Sequence, residues 1–466
     1  MNILAINVSL RPESPVKLFP IGLGFILTTL KKAGIEFDLI DIDIYRYTSE
    51  QIENLIQKRD YQVVCLGCIV TGYKTVKELT KLIRTYHPTC TIIAGNSVAT
   101  SITETLLTKT EVNIAVMGEG DETIIELIRA LETRKDLESV KGIAYLKNKA
   151  VTYTENRSLI KDISTLPFID FSMFDIELYI ENSKHHVCEP LPISRDEVRV
   201  LQVNTARGCV ANCGFCYHVF KNAPYRHRSS ESIISEIKFL IEKYSINYIQ
   251  FWDELTFYSK KQTMELVRGI LNNKLKFYWV AQCRANLFNE DKDIEIIELM
   301  KESGCLGMEY SLESADKDIL KSMNKNISVE QFNKQTVLFQ KAGITTWTSL
   351  VIGYPDETKE TLKTTFDCCI QNNMYPSVGY LLPQPGSQMY EFALDHGYID
   401  RKNEEDYFLN LGDRQDLRIN MTKMSSDELQ SEVKNHLIRC NEVLGIGLDV
   451  SKLIKTQYYR GKKEKN

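Results

Sequence analysis

The sequence predicts an α/β protein: a doubly wound parallel sheet, then a partial parallel barrel, then a helical C-terminal segment. Two observations carry this. Short β-branched runs alternate with helix-period segments from residue 3 to about 133, and the same alternation resumes from 201 to 382. A third observation lies just after the first strand of the second series. There Cys209-Val210-Ala211-Asn212-Cys213-Gly214-Phe215-Cys216 places three thiols in one short loop.

In the first series the strands read as Ile3–Val8, Phe37–Ile42, Val63–Ile69, Thr91–Gly95 and Ile114–Gly118. The intervening segments Gly22–Lys32, Ser49–Lys58, Lys74–Tyr86, Ser101–Leu107 and Glu122–Thr133 have apolar residues near helical spacing. Five strands and five helices make a doubly wound domain over residues 1–140. Such sheets bind ligands beyond the carboxyl ends of their strands, so the loops at Asn7–Gly22, Cys68–Gly72, Gly95–Ser97 and Gly118–Gly120 face the expected site. Gly95 and Gly118-Glu119-Gly120 let backbone approach a large flat ligand, although a plain turn asks for the same residues. No Gly-x-Gly-x-x-Gly follows the first strand, which argues against a dinucleotide site.

Residues 141–199 read as a hairpin (Gly142–Leu146, Val151–Thr154) and a linker with scattered prolines, draped over the next domain. His185-His186 with Cys188 lies in it, without a second ligand pair at a recognised metal spacing. Over residues 200–390, strands at Leu201–Thr205, Tyr248–Asp253, Phe277–Cys283, Gly307–Leu312, Thr346–Gly353 and Val378–Leu382 alternate with helices. Six such strands predict a partial (β/α)6 barrel, whose working residues sit at the carboxyl ends of the strands. Residues 391–466 are helical and charged; Ser426–Gly445 is the clearest helix, and the basic tail Arg460–Asn466 reads as a solvated end.

Composition limits the function classes. A 43% apolar fraction supports ordinary cores, and a net charge of −5 provides no general basic field for nucleic acid. No run approaches the roughly 18 apolar residues of a membrane span, and no export signal precedes the first strand, so a cytoplasmic location is expected. Twelve cysteines then imply thiols and metal ligation rather than disulfides. Cys65, Cys68, Cys90, Cys305, Cys368, Cys369 and Cys440 lie in apolar or helical patterns and read as packing residues.

The Cys209, Cys213 and Cys216 thiols favour soft metals. One arrangement is zinc with His218 or His227 as fourth ligand, in a structural or sensing module. The other is a four-iron cluster, for which three cysteines leave one iron open to substrate or cofactor. Position at the mouth of a parallel barrel favours the cluster.

The Cys-x3-Cys-x2-Cys loop, with Phe215 before its last cysteine, resembles that of the radical S-adenosylmethionine superfamily. Supporting segments are Phe251-Trp252-Asp253-Glu254, Gln282-Cys283-Arg284, Gly307–Ser314, Ile352–Thr358 and Pro383–Ser387. Phe19-Pro20-Ile21-Gly22-Leu23 and Met117–Thr123 are similar to the cobalamin-binding domain that precedes the barrel in B12-dependent radical enzymes. Two features depart from relatives: Ala94–Thr100 replaces a Gly-Gly and His-x-Thr-like stretch, and the cobalt-ligating Asp-x-His-x-x-Gly motif is absent.

The resemblance implies a 4Fe–4S cluster on Cys209, Cys213 and Cys216, with S-adenosylmethionine chelating the fourth iron. It places Phe215 near the adenine, Asp253 and Glu254 near the methionyl amine, Arg284 near the carboxylate, and Ser311 and Glu313 near the ribose. Gly22, Cys68, Thr71, Gly95, Asn96, Gly118, Glu119 and Gly120 would line the cobalamin site. The implied activity is reductive cleavage of S-adenosylmethionine to a 5′-deoxyadenosyl radical, with methylcobalamin methylating an unactivated carbon of a small molecule. The alternatives are radical rearrangement, cyclisation or deoxygenation without methyl transfer, and a non-catalytic cluster or metal sensor. An electron donor such as flavodoxin or ferredoxin is the implied partner; nucleic acid is not.

Overall fold

The structure, a computed structural model, describes residues 1–12 and 14–453. The tail Arg460–Asn466 lies outside the described residues. The first sheet contains β1 (Ile3–Asn7), β2 (Asp38–Asp41), β3 (Val63–Gly67), β4 (Thr91–Gly95), β5 (Ile114–Val116), β6 (Ile143–Lys147) and β7 (Ala150–Tyr153). Its order is β2-β1-β3-β4-β5-β6-β7, and β1 to β5 run parallel. Alternate residues of β1 face opposite helix layers. Ile3 and Ala5 pack with Leu27 and Leu127, while Leu4 and Ile6 pack with Val76 and Ile83. Burial on both faces is why these strands read as continuous apolar runs. The order reverses between β1 and β3, which puts the loops after these strands at the ligand-binding edge.

Two expectations are corrected here. The first sheet has seven strands rather than the five expected, because the hairpin formed by β6 and β7 adds antiparallel to the β5 edge. The helix expected at Ser101–Leu107 begins earlier, as Asn96–Ser101, and restarts as Thr103–Lys109 after a break at Ile102.

The second sheet begins with β8 (Val200–Val203), followed by a ribbon of β9 (Ala206–Arg207) and β10 (Arg226–His227) that brackets the cysteine loop. Then come β11 (Tyr248–Phe251), β12 (Tyr278–Gln282), β13 (Cys305–Glu309), β14 (Thr345–Trp347), β15 (Ser349–Ile352) and β16 (Ser377–Tyr380). The ladders joining β8, β11, β12, β13 and β14 are parallel, as is β15 with β16, whereas the β9–β10 ribbon is antiparallel. The strand expected at Thr346–Gly353 is divided at Thr348, whose hydroxyl accepts from the Leu312 backbone at 2.8 Å. Residue 313 then pairs with the second half: its amide donates to Ser349 and its carbonyl accepts from Val351. β14 and β15 together occupy one place in a six-stranded, unclosed barrel.

The linker packs on the barrel as well as on the first sheet: Phe168 meets the Phe239 ring at 6.4 Å, Phe171 meets Tyr244 at 5.6 Å, and the Ser229 amide donates to the Ser164 hydroxyl at 2.9 Å. Phe171, Phe174 and Tyr179 surround Phe19 at centroid distances of 4.8, 4.8 and 5.3 Å, joining the sheet to the barrel through aromatic edges. The chain then enters the barrel lumen, where Val187 and Cys188 pack against Val200, Tyr248 and Leu306. The Cys188 amide donates to the Tyr248 hydroxyl at 2.9 Å. Helix Ser426–Val443 closes the C-terminal part, burying Leu429, Val433 and Leu437 in the same core as Leu362 and Phe366.

Candidate active site

The cysteine loop opens from the ribbon at the mouth of the barrel. Lys221 shapes it from within: its ammonium donates to the Cys213 carbonyl at 2.6 Å and the Cys216 carbonyl at 2.8 Å. The Gly214 amide donates to Met323 and its carbonyl accepts from Met389, so both barrel and C-terminal segment grip the loop. All twelve cysteines are free thiols. Among the described residues, no three His, Cys, Asp or Glu side chains come close enough to share one metal ion. Three thiols from one loop suit a cubane, in which each thiolate holds a different iron. Burial pushes the Cys216 thiol up to about 12 in the metal-free chain, so cluster assembly must displace its proton.

Around Cys213 lie charges from three elements: Lys325, Glu313 and Arg284. Glu313 is 5% exposed and adopts a left-handed φ of 66°. One of its carboxylate oxygens meets Lys325 at 2.9 Å, while Oε2 is buried without a hydrogen-bond partner among the described residues. The Tyr354 hydroxyl is likewise buried and unpaired, its ring edge-on to Phe215 at 6.5 Å. Two orphaned polar atoms beside an aromatic face and three thiols fit an adenosylated amino acid.

The other predicted residues occupy different settings. Asp253 accepts from Asn204, the amide and hydroxyl of Thr205, and the Ala206 amide, at 2.7 to 3.0 Å. It ties the end of β8 to β11, and burial nonetheless raises its carboxyl to about 6. Glu254 is exposed and accepts from the Gly208 amide at 3.3 Å. Arg284 donates to the Lys325 and Asn326 carbonyls at 2.6 and 3.2 Å, and Ser311 shares a 2.6 Å hydrogen bond with Ser349. The structure therefore brings Arg284, Glu313 and Cys213 together. Asp253 and Glu254 lie on the β8–β11 side of the loop.

At the ligand edge of the first sheet, Gly22, Gly95 and Gly118 form an open cradle: a Cβ added at any of them meets nothing within 4 Å. Leu10 and Ile69, in the loops after β1 and β3, are 38% and 45% exposed. Uncrowded backbone beside exposed apolar side chains fits a corrin face. Asn96, at φ 68°, is exposed and its side chain accepts from the Ser97 amide. Thr71 is partly buried in the turn Val70–Gly72, where Cys68 is packed close to Gly72. Gly120 makes room for Ile26, whose Cδ1 would lie 3.0 Å from an added Cβ.

Glu119 turns to the barrel. Its carboxylate accepts from Arg207 at 2.7 Å and Arg226 at 2.8 and 2.9 Å, and Arg207 also meets Asp121 at 2.9 Å. The whole cluster is buried, with the Arg226 guanidinium 5.3 Å from the Phe220 ring. Lys221, Lys325, Arg207 and Arg226 carry no local sequence signal, whereas Tyr354 sits inside the Ile352–Thr358 segment and Glu119 and Asp121 inside Met117–Thr123.

Comparison with known proteins agrees with this architecture. The model for the radical SAM superfamily matches residues 203–369, and that for the B12 binding domain matches residues 10–128. The chain belongs to the radical SAM superfamily, in the group whose barrel follows a B12-binding domain, and it is an enzyme. A radical SAM domain works with a 4Fe–4S cluster and S-adenosylmethionine, and the B12-binding domain with cobalamin. An uncharacterized methyltransferase of Pyrococcus horikoshii is 25% identical over 87% of this chain and 87% of its own. The anaerobic magnesium-protoporphyrin IX monomethyl ester cyclase of Cereibacter sphaeroides is 25% identical over 74% of this chain, which spans 55% of the cyclase. TsrM of Kitasatospora setae, a radical S-adenosylmethionine methyltransferase solved with cobalamin and a 4Fe–4S cluster, shares the fold. Its TM-score is 0.69 at 16% identity, covering 86% of this chain and 79% of TsrM. Among the described residues no helix is long and apolar enough to cross a membrane.

Proposed function

We propose that the protein methylates an unactivated carbon of a small molecule. The observation that carries this is the pairing of two halves: free thiols beside the orphaned Glu313 oxygen at the barrel mouth, and the glycine cradle at the sheet edge. When bound, the cluster supplies the electron that cleaves S-adenosylmethionine to methionine and a 5′-deoxyadenosyl radical, and cobalamin supplies the methyl group. Cys209, Cys213 and Cys216 would hold the cluster. Glu313 Oε2 and the Tyr354 hydroxyl would accept from or donate to the nucleoside, with Phe215 against its flat face. Arg284, beside Cys213, offers charge to the methionyl carboxylate. Asp253 acts one step removed, by fixing the strand end from which the loop departs. Gly22, Gly95 and Gly118 would receive the corrin. The electron comes from a reduced flavodoxin- or ferredoxin-like donor.

A second reading, radical ring closure without methyl transfer, is supported by the likeness to the cyclase. Anaerobic reconstitution separates them. Methionine and 5′-deoxyadenosine formation, with cobalamin absorbance co-purifying, is the expected result. Failure to cleave S-adenosylmethionine would sink the enzymatic reading, and cleavage by a protein that takes up no cobalamin would favour the second.

A further inference from the structure

Inside the barrel, between the 186–188 floor and the mouth, lies a cavity lined by His186, Gln250, Trp252, Gln282, Glu309 and Trp347. Strand register sets its rim: Glu309 ends β13, with Gln282 opposite it on β12 and Trp347 opposite it on β14. Of the three tryptophans in the chain, two are here. Trp252 is 39% exposed although it faces the lumen, and it stands edge-on to His186 at 5.7 Å. Trp347 lies across the strand beside it, because residue 307 is glycine: a Cβ there would come within 2.2 Å of the indole.

The floor is satisfied. Gln250 accepts from Gln202 at 2.6 Å and donates to the His186 carbonyl. The rim is not: among the described residues no hydrogen bond or ion pair engages the carboxylate of Glu309 or the amide of Gln282. No Lys or Arg lines the cavity. A carboxylate without a partner in a partly enclosed space calls for a cation, and indole faces attract one. Phosphate or carboxylate groups would meet repulsion from Glu309 with no lysine or arginine in the lining to offset it.

We infer that this cavity recognises the substrate through a cationic nitrogen, a protonated amine or guanidine held by Glu309 between Trp252 and Trp347. The inference rests on the barrel mouth being the substrate site of the proposed enzyme. The test is equilibrium dialysis of anaerobically reconstituted holoenzyme with S-adenosylmethionine and no reductant. The probes are phenethylammonium and its neutral and anionic counterparts, 3-phenylpropionamide and 3-phenylpropionate. Expected are saturable binding of the ammonium probe, binding of the other two at least roughly tenfold weaker, and a roughly tenfold loss of ammonium binding in Glu309→Gln. Trp347→Phe should lose affinity by severalfold. Absence of saturable ammonium binding, equal binding of the amide or the anion, or an unchanged affinity in a Glu309→Gln protein with a wild-type melting curve would overturn it. Should the variant fail to fold, the probe series on the natural chain still decides. Dialysis needs no turnover, so failure of S-adenosylmethionine cleavage would count against the proposed function and leave this result standing.

Discussion

Glu313 combines three costs at one position: a left-handed backbone, burial, and a carboxylate oxygen without a partner. Strain and lost hydrogen bonding of this kind amount to about 1–3 kcal/mol each and persist where a ligand recovers them. Glu313→Gln should weaken S-adenosylmethionine binding roughly tenfold, measured by dialysis against the loaded protein; an unchanged affinity would remove Glu313 from the site. Glu357 offers a separate test. Burial pushes its carboxyl up to about 7 from 4.5, while its Oε2 accepts from the Gly353 amide at 2.6 Å. The folded chain thus holds this proton more tightly than the unfolded chain. The stabilisation is full below pH 4.5 and is lost as pH rises through about 7, on the order of 3 kcal/mol in all. Glu357→Gln should flatten the fall in melting temperature between about pH 5 and about pH 8. At this scale the thiols were legible, because three cysteines in eight residues have few other uses. Tyr354 and Lys325 were not, since their roles depend on what the fold brings beside them.

At the scale of elements, the loop is the unit of function and Lys221 is its internal brace. Replacing it with Met removes two charge-assisted hydrogen bonds to carbonyls within the cluster-binding turn. Lys221→Met should lower iron and sulfide content per chain while the far-ultraviolet circular dichroism stays unchanged. Cys213→Ala should abolish both the cluster and S-adenosylmethionine cleavage and leave the first sheet folded. The parallel strands were legible as apolar runs because helices cover both faces. What escaped was non-local. Thr348 divides a strand only because Leu312 arrives to use its hydroxyl. The segment 184–193 looks like a proline-bearing linker, and only the unclosed barrel gives Val187 and Cys188 somewhere to go.

Across the whole molecule, residues of both sheets and of the linker share one continuous apolar core. Calorimetry should accordingly record one unfolding transition for residues 1–453 rather than two. The buried cluster of Glu119, Asp121, Arg207 and Arg226 adds a polar tie across the same junction. Truncating one member leaves an uncompensated buried charge, so Glu119→Ala should lower the unfolding free energy by about 3–5 kcal/mol in chemical denaturation. A loss within about 0.5 kcal/mol would mean that water reaches the arginines. Nothing in the sequence announced this tie, since Glu119 and Arg207 are 88 positions apart.

Arg207 stands immediately before the Gly208–Cys209 turn, so the cysteine loop begins from a residue whose burial depends on acids made earlier in the chain. Synthesis proceeds from the N-terminus and domains fold largely in that order. The acidic pair is therefore in place when the arginine emerges, and the start of the loop can be anchored at once. Its far side must wait for Met323 and Met389, whose backbone groups hold Gly214, so the loop takes its final shape only after most of the chain has been made.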